Sequence, residues 1–350
     1  MTELKIHALL EEVKKKDASD LHLAAGLPPM LRIYGKLKPL GDAILTSDDI
    51  RRLTSEVLTP EQKKELEEMH EIDVCVEVAG VARFRLNSFY ERNGTGTVMR
   101  LIPFEIRTLS DLGLPAVVGE LSETERGFII VTGPTGSGKS TTLAALVDKI
   151  NSEREGHIIT IEDPIEYVHK HKKCIVQQRQ VGPHTHSFAM ALRSALREDP
   201  DVILVGECRD LETMQMAVTA AETGHLVFTT LHTGGAVQTI DRIIDIFPPH
   251  QQAQVRTQLS EALVAVISQI LIPRMDGKGL VAACEILRTN AAVRNLIREG
   301  KTYQIVSAIQ AGGTEGMQTL EAALTKLQRE GRITPDEVRK HITPARISKP

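Results

Sequence analysis

Residues 127–150 read GFIIVTGPTGSGKSTTLAALVDKI, and this stretch contains three consecutive structural signals. The apolar run at 128–131 is typical of a strand that is buried on both faces. The next residues, 133–140, match the pattern G-x-x-x-x-G-K-[ST]. Helix-forming residues follow in STTLAALVDKI. A strand, a glycine-rich loop and a helix in this order predict a phosphate-binding loop at the edge of a parallel sheet.

The composition of this loop suits the phosphate groups of a nucleotide. Glycines let backbone N–H groups turn towards phosphate oxygens, and the helix amino terminus adds its positive dipole end. We expect Lys139 to reach the β- and γ-phosphates of ATP and the Ser140 hydroxyl to bind Mg²⁺. The predicted ATP-binding residues are Gly133, Pro134, Thr135, Gly136, Ser137, Gly138, Lys139, Ser140 and Thr141.

Three further apolar runs alternate with helical patterns after this loop, which predicts a parallel sheet covered by helices and therefore an α/β fold. Each run ends on polar residues. The runs are HIITIED at 157–163, VILVGE at 202–207 and HLVFTTLH at 225–232. Ligands of open α/β sheets bind at the carboxyl ends of the strands, so we expect these polar ends to converge on one site.

The polar residues at the strand ends suggest individual roles. Glu207 lies where a Walker B acid would lie, which makes Ser140 and Glu207 the predicted magnesium ligands. Glu162 is a weak base towards water, so its expected task is to orient the attacking water and take the proton late. Asp163 is the competing candidate for this task. His232 is a candidate because of the predicted convergence, and His225 at the other end of the same run carries less weight.

The chain divides into regions of different character. We expect residues 1–102 to form a small α+β domain. A helix is predicted near its start by the spacing of Ile6, Leu9, Leu10 and Val13, and the short runs of alternating apolar and polar residues that follow predict strands. We interpret 103–115 as a linker, 116–286 as the ATPase core and 287–350 as a helical carboxyl-terminal region. Beyond Pro248 the chain is predicted to be mostly helical.

Four arginines crowd a predicted hairpin of the first domain. One interpretation is that they form a solvated basic face. The other is that two of them act as arginine fingers and reach a nucleotide bound by the second domain of the same or a neighbouring subunit. These residues are Arg83, Arg85, Arg92 and Arg100.

Composition argues against several classes of protein. The net charge is −4, aromatic residues make up 3% of the chain and Trp is absent, which argues against a nucleic-acid translocase with a basic groove and stacking aromatics. No apolar run is long enough to span a bilayer, so we expect a cytoplasmic protein. The cysteines stand singly, without a C-x-x-C pair for zinc.

Several segments resemble the secretion-superfamily ATPases. LREDPDVILVGECRD at 196–210 fits L-R-x-x-P-D, an apolar strand and G-E-x-R-D, although Cys208 replaces the usual aliphatic residue or Met. TIEDPIEY at 160–167 resembles the Asp box of this family, and GHLVFTTLHT at 224–233 resembles its His box. AVRNLIREGK at 292–301 closely resembles a segment of the type IV pilus retraction ATPases. The resemblance extends to ASDLHL, RFRLN and GMQTLE and so covers nearly the whole chain.

The resemblance implies an amino-terminal PAS-like domain, a RecA-like ATPase domain and a homohexameric ring. Where residues match, the resemblance implies that Glu162 is the catalytic base and Glu207 the Walker B acid. It also implies that His225 and His232 are the residues of the His box. Arg85 and Arg100 best match the two arginines of related type II secretion ATPases, with Arg83 and Arg92 as substitutes. Cys208 is expected to leave catalysis unchanged, and it offers a route to thiol sensitivity.

The implied function is a motor that hydrolyses ATP to retract type IV pili during twitching motility. Its implied partners are an inner-membrane pilus platform protein and an accessory paralogue, which would hold it at the cytoplasmic face of that membrane. Alternatives within the family are the accessory retraction paralogue and a pilus extension or type II secretion ATPase. The latter usually carries a longer amino-terminal region and a tetracysteine zinc site. The distant alternatives are a hexameric nucleic-acid translocase and a nucleotide-binding scaffold without turnover.

Overall fold

The computed structural model describes residues 4–342, so the outer ends of the first and last predicted regions lie outside the described residues. Packing divides the chain into two units. The first comprises residues up to 105 together with 164–168, and the second comprises 106–163 together with the residues from 169 onward.

The first unit is built on a six-stranded antiparallel sheet of order β3-β2-β1-β6-β5-β4. Its strands are β1 (Asp20–Leu23), β2 (Met30–Ile33), β3 (Lys36–Pro39), β4 (Glu71–Val78), β5 (Ala82–Glu91) and β6 (Gly94–Ile102). Its helices are α1 (Ile6–Lys15), α2 (Ser47–Ser55) and α3 (Pro60–Met69). Capping boxes at Thr46 and Thr59 start α2 and α3, because each threonine accepts a hydrogen bond from the third helical residue. This unit has the predicted α+β character, with its own apolar core.

The second unit contains a seven-stranded sheet of order β13-β12-β7-β11-β10-β8-β9. All neighbouring pairs are parallel except β12 with β13. Its strands are β7 (Gly127–Thr132), β8 (Gly156–Glu162), β9 (Cys174–Gln180), β10 (Val202–Val205), β11 (Leu226–Leu231), β12 (Leu263–Pro273) and β13 (Leu280–Arg288). Its helices are α4 (Ala116–Glu120), α5 (Lys139–Glu153), α6 (Phe188–Ala195), α7 (Leu211–Glu222), α8 (Ala236–Ile246), α9 (Pro249–Ala262), α10 (Ala291–Arg298), α11 (Ile305–Ala311), α12 (Leu320–Arg329) and α13 (Pro335–Ile342).

Helices cover both faces of this sheet, as the continuous apolar strands predicted. Ile129 and Val131 on β7 pack in the core that α4 and α5 cover. Phe128 and Ile130 point to the opposite face, where α6, α7, α8 and α9 close a second core. Successive residues of a strand point to opposite faces, so a strand in the middle of such a sheet must be apolar throughout.

The prediction of a mostly helical chain beyond Pro248 is wrong for residues 263–288. The apolar run at 262–272 is part of strand β12, which pairs with β7 on one side and β13 on the other. A short apolar run rich in Val and Ile fits a buried strand as well as a buried helix, and the free edge beside β7 decides for the strand. After β13 the described chain is helical, apart from connecting segments.

The segment 103–115 contains no regular helix or strand. Its residues from Ile106 onward belong to the second unit, and Leu109 and Leu114 are buried in the core on the α5 face. The predicted end of a linker at Pro115 therefore does not coincide with a boundary in the packing.

Candidate functional site

The four strands that end on polar residues are consecutive neighbours in the sheet, in the order β7, β11, β10 and β8. Because they are parallel, their carboxyl ends lie along one edge. Leu231 is paired with Thr132, and Val205 is paired with Ile161, so the strands end at nearly the same level. The phosphate-binding loop, His232, Glu207 and Glu162 therefore emerge side by side.

The loop at 133–138 has the backbone of a phosphate cradle. Gly133, Gly136 and Gly138 have φ values of 144°, 78° and 86°, a region that residues with a Cβ atom rarely adopt. The N–H of Ser137 donates to the carbonyl oxygen of Pro134 at 3.2 Å, which closes a turn. The loop leads directly into α5, and the amino terminus of a helix favours anions through its dipole.

Lys139 is buried at the start of α5, with 8% of its surface exposed. Its Nζ donates to the carbonyl oxygens of Gly133 and Pro134 at 2.9 and 3.0 Å. The ammonium group is thus held over the loop. Ser140 is exposed in the first turn of α5, Thr141 is half-buried beside it, and Thr135 is exposed on the loop.

A residue that the sequence analysis missed lies against this loop. Gln269 on β12 is 3% exposed and forms hydrogen bonds with Ser137 and Thr142. Its signal in the sequence is a single amide within the apolar run ALVAVISQILI. A buried polar group requires partners, so an amide in such a run indicates a specific contact.

Glu162 is the last residue of β8, and its carboxylate is held by two neighbours. Oε1 accepts hydrogen bonds from Oγ1 of Thr160 at 2.6 Å and from Nε2 of Gln178 at 3.1 Å. Residues 158, 160 and 162 alternate to the same face of the strand, and Ile158 packs on the α5 face. Glu162 therefore projects on the same side of the sheet as the helix that follows the phosphate-binding loop.

The competing candidate, Asp163, is exposed and follows β8 directly. Its charge contributes to a raised pKa of Arg209, for which the hydrogen bond with Glu207 is the main cause. Asp163 thus acts electrostatically on the group around Glu207, whereas Glu162 is bonded to the edge strand β9. The two carboxylates are adjacent in sequence but have different surroundings.

Glu207 lies one residue beyond Gly206 at the end of β10, and it has two basic neighbours. Its Oε1 is 2.5 Å from Nε of Arg209 and 3.4 Å from Nε2 of His232. Burial lowers the pKa of His232, and the positive charge of Lys139 lowers it further, while Glu207 acts in the opposite direction. The neutral form of His232 is therefore favoured more than in a free histidine.

A cavity of about 500 Å³ opens beside this group. Thr135 of the loop, Glu207, Arg209 and His232 line it together with Arg242 of α8. Arg242 is a second residue that the sequence analysis missed, and within residues 4–342 it has no ion-pair partner. Its only sequence signal is a basic residue on the polar face of an amphipathic helix.

The structure does not bring His225 to this edge. His225 precedes β11 and His232 follows it, so the six residues of the strand separate them by about 20 Å. The Nδ1 atom of His225 lies 2.9 Å from the carbonyl oxygen of Ala220, at the end of α7. His225 therefore lies at the opposite edge of the sheet from the phosphate-binding loop.

Arg85 and Arg100 are directly opposite each other on β5 and β6 of the first unit. Arg85 forms two hydrogen bonds with Asp73, at 3.1 and 2.7 Å, and one with Glu166 at 3.1 Å. Nε of Arg100 donates to Asp20 at 2.9 Å, although 56% of the Arg100 side chain is exposed. Neighbouring carboxylates thus offset the repulsion between two like charges in a cross-strand pair.

The two substitute arginines differ from this pair. Arg83 donates from both terminal nitrogens to the carbonyl oxygens of Glu166 and Ile165, at 2.9 and 3.2 Å, which is a structural role. Arg92 is exposed in the turn between β5 and β6. Arg85 and Arg100 thus differ from these two arginines in being held by carboxylates.

Cys208 does not have the environment of a reactive thiol. It is fully buried, and burial raises its pKa to about 12. Oγ1 of Thr229 donates to its sulfur at 3.3 Å. Because the thiolate is the reactive form, the expected route to thiol sensitivity through Cys208 is not supported.

The phosphate-binding loop and the parallel sheet define a P-loop protein with a RecA-like core. The family model for type II/IV secretion system proteins matches residues 1–295, and the chain belongs to this family. It is 52% identical over 334 residues to the type IV pilus retraction ATPase PilT of Pseudomonas aeruginosa, covering 95% of this chain and 97% of that protein. It is 41% identical to the type IV pilus ATPase PilU of the same organism, covering 97% of this chain and 88% of PilU.

The fold is also similar to a solved structure. The crystal structure of the pilus retraction motor PilT with bound ADP superposes with a TM-score of 0.86 at 51% sequence identity. The superposition covers 97% of each chain.

Within 4–342 no helix has both the length and the apolar character needed to cross a bilayer. In the same part of the chain, no group of three or more His, Cys, Asp or Glu side chains is arranged to hold a metal ion.

Proposed function

We propose that the chain is a Mg²⁺-dependent ATPase that acts as a homohexameric motor for type IV pilus retraction. The observation that carries this proposal is the single sheet edge at which the phosphate-binding loop, Glu162, Glu207 and His232 lie side by side. The 52% identity to a retraction ATPase, against 41% to PilU, favours retraction itself over the accessory role.

The binding half of the reaction is assigned to the loop and α5. The positive-φ glycines turn backbone N–H groups towards the phosphates, and the buried Lys139 brings a fixed positive charge to the β- and γ-phosphates. The exposed Ser140 hydroxyl is available to Mg²⁺, which proteins usually bind through few ligands of their own together with substrate phosphates. When bound, this ion would neutralise charge that develops on the phosphate oxygens.

Glu207 suits an indirect contact with Mg²⁺ better than a direct one. Its Oε1 already faces Arg209 at 2.5 Å and His232 at 3.4 Å, so a water molecule would connect the carboxylate to the ion. Arg209 offsets the negative charge of Glu207.

Glu162 is the proposed base. Thr160 and Gln178 fix the orientation of its carboxylate, and a fixed carboxylate can align a water molecule for attack on the γ-phosphate. A proton needs to move only late in such a step, because the phosphoryl-transfer transition state is loose.

Arg85 and Arg100 are the proposed arginine fingers of the ring. Fingers of this kind stabilise the charge of the transferring phosphoryl group and can be supplied by a neighbouring subunit. The exposed Arg100 and the doubly paired Arg85 would then make activity depend on the closed hexamer. The pilus platform protein of the inner membrane, and a PilU-like paralogue, are the proposed partners, with the motor at the cytoplasmic face.

A deletion strain tests the function. We expect it to carry pili that are assembled but not retracted, and to lose twitching motility. Absence of pili would indicate an extension ATPase, and retraction that persists at reduced force would indicate the accessory paralogue. The purified protein should hydrolyse ATP with Mg²⁺ and not with EDTA, and stimulation of this activity by DNA would point to a translocase.

A further inference from the structure

Gln269 occupies a particular position relative to the phosphate-binding loop. It lies on β12, whose residue Ser268 is paired with Thr132, the last residue of β7. The residue after Thr132 is Gly133, where the loop begins. Gln269 is therefore the β12 residue that faces the start of the loop, and it is almost completely buried.

Both polar atoms of the Gln269 side-chain amide form hydrogen bonds. Nε2 donates to the carbonyl oxygen of Ser137 at 2.6 Å, and Oε1 accepts from Oγ1 of Thr142 at 2.8 Å. One bond holds the last turn of the loop and the other holds the first turn of α5. Glutamine is suited to this position because its amide is a donor and an acceptor at once.

Two glycines of the loop lie directly against the same residue. A Cβ atom at Gly133 would come within 2.2 Å of the backbone oxygen of Gln269, and one at Gly138 within 2.8 Å of its Nε2. Both distances are shorter than any real contact of a Cβ atom. These glycines are thus required by the close approach of β12, in addition to their positive φ values.

We propose that Gln269 is a positioning residue that holds the phosphate-binding loop in its nucleotide-binding form. It contacts the loop at both of its ends, so it limits the loop to the conformation in which the N–H groups point inward. A loop that is already ordered loses less entropy on binding, which strengthens binding of any ligand that the loop surrounds. This inference rests on the proposed nucleotide-binding function.

The test compares three single variants with the wild-type protein. Gln269→Met keeps the approximate volume and removes both hydrogen bonds, and Thr142→Val keeps the shape and removes one. Gln258→Met is the matched control, because Nε2 of Gln258 on α9 donates to Oε2 of Glu222 at the end of α7, on the side of the sheet opposite the loop. Binding of ADP and of AMP is measured by calorimetry or competition, and unfolding is followed by circular dichroism.

We expect Gln269→Met to weaken ADP binding about tenfold or more, the factor that about 1.4 kcal/mol represents. AMP binding should weaken less than ADP binding, because AMP offers the loop its α-phosphate alone and lacks the β-phosphate. Gln258→Met should bind ADP as the wild type does. A purely structural role of Gln269 would lower the melting temperature without altering the ratio of ADP to AMP affinity.

The outcomes are distinguishable. If the wild-type protein does not bind ADP, the proposed function itself is wrong. Suppose that the wild type binds ADP. The positioning role is then wrong if Gln269→Met has the same ADP affinity as the wild type, or if its affinities for ADP and AMP fall by the same factor. Should Gln269→Met not fold, Thr142→Val decides in the same way. A double variant that combines Gln269→Met and Thr142→Val gives a further check. If its loss of ADP affinity is smaller than the sum of the two single losses, the two residues act through a shared hydrogen bond.

Discussion

Glu162 and Gln178 are joined by a hydrogen bond of 3.1 Å between Nε2 of the amide and Oε1 of the carboxylate. Oε1 of the same amide accepts from the backbone N–H of His169 at 2.8 Å. Gln178 therefore links the end of β8, the edge strand β9 and the chain at residue 169. The orientation of Glu162 depends on a contact between neighbouring strands.

Substituting Glu162 should separate binding from chemistry. Glu162→Gln keeps the size of the side chain, so we expect retained ATP binding and a kcat lower by about 10²–10⁴. Lys139→Ala removes a phosphate contact and should weaken ATP binding instead. Nucleotide affinity and steady-state hydrolysis measure the two effects. A Glu162→Gln protein with normal kcat would transfer the role of base to another residue, first of all Asp163.

Arg85→Ala should reduce kcat by about 10³ or more if this arginine acts as a finger. Asp73→Asn is the matched control, because it removes the carboxylate partner and leaves the cation in place. Since the Arg85 and Asp73 side chains are 33% and 40% exposed, neither change should shift the melting temperature much. Mixing Arg85→Ala subunits into wild-type hexamers should inhibit turnover if the subunits act in coordination. Normal activity of both Arg85→Ala and Arg100→Ala would refute the finger role.

The pH dependence of hydrolysis should reflect the lowered pKa of His232. Burial and the charge of Lys139 favour the neutral imidazole, so the midpoint of protonation lies below the usual histidine pKa of about 6.5. We expect kcat/KM to decline towards acid pH with a midpoint below this value. Because kcat/KM reports the free enzyme, the decline should be absent or altered in His232→Gln. A midpoint at or above the usual value would show that His232 is not the titrating group.

The exposed arginines of α10 are expected to act in coupling rather than in hydrolysis. Arg298 has a partner within the chain, with Nη1 3.7 Å from Oε1 of Glu261, whereas Arg294 has no ion-pair partner within residues 4–342. An acidic partner on another subunit or on the pilus machine would offset the charge of Arg294. The double variant Arg294→Ala and Arg298→Ala should hydrolyse ATP but not retract pili.

Glu261→Gln is the control for this prediction, because it removes only the internal partner of Arg298. It should retain twitching motility if the external contact is the important one. If the double arginine variant still shows twitching motility, the arginines of α10 have no role in coupling, and the helix contributes only to packing.

The buried side of α10 should determine stability. Val293 and Ile297 of this helix are fully buried, whereas Leu296 is partly buried and Ala292 is exposed. Ile297→Ala should therefore cost about 2–5 kcal/mol of unfolding free energy, and Leu296→Ala less. Denaturant unfolding measures both. An equal loss would mean that Leu296 contributes as much buried surface.

His169 should make the protein sensitive to acid. Its Nδ1 is buried and has no hydrogen-bond partner within 4–342, and burial lowers its pKa to about 4. As the pH falls below about 6.5, the unfolded chain binds a proton at this histidine before the folded chain does, so stability decreases until about pH 4. The loss can reach about 3 kcal/mol, and His169→Gln should not show this part of it. Parallel stability curves of the two proteins between pH 7 and 4 would exclude His169 as the cause.

Much of the fold could be predicted because its signals are local. The strand, glycine-rich loop and helix at 127–150 are specified by neighbouring residues, and three more apolar runs with polar ends were enough to predict a parallel sheet. Backbone conformation and the alternation of side chains along a strand depend on short stretches of chain. The strand ends at Glu162, Glu207 and His232 follow from the same reasoning.

Tertiary structure alone decided the features that depend on distant residues. Gln269 meets Thr142 and Ser137 across 127 and 132 positions of the chain. The run that contains Gln269 became a strand because β7 offered an unpaired edge. Arg83 and Arg85 likewise received partners at 165 and 166, which no local pattern indicated. An apolar run can be buried as a helix or as a strand, and a basic side chain can find its partner in several places. Which of these forms depends on the competition among all elements for buried surface and hydrogen-bond partners.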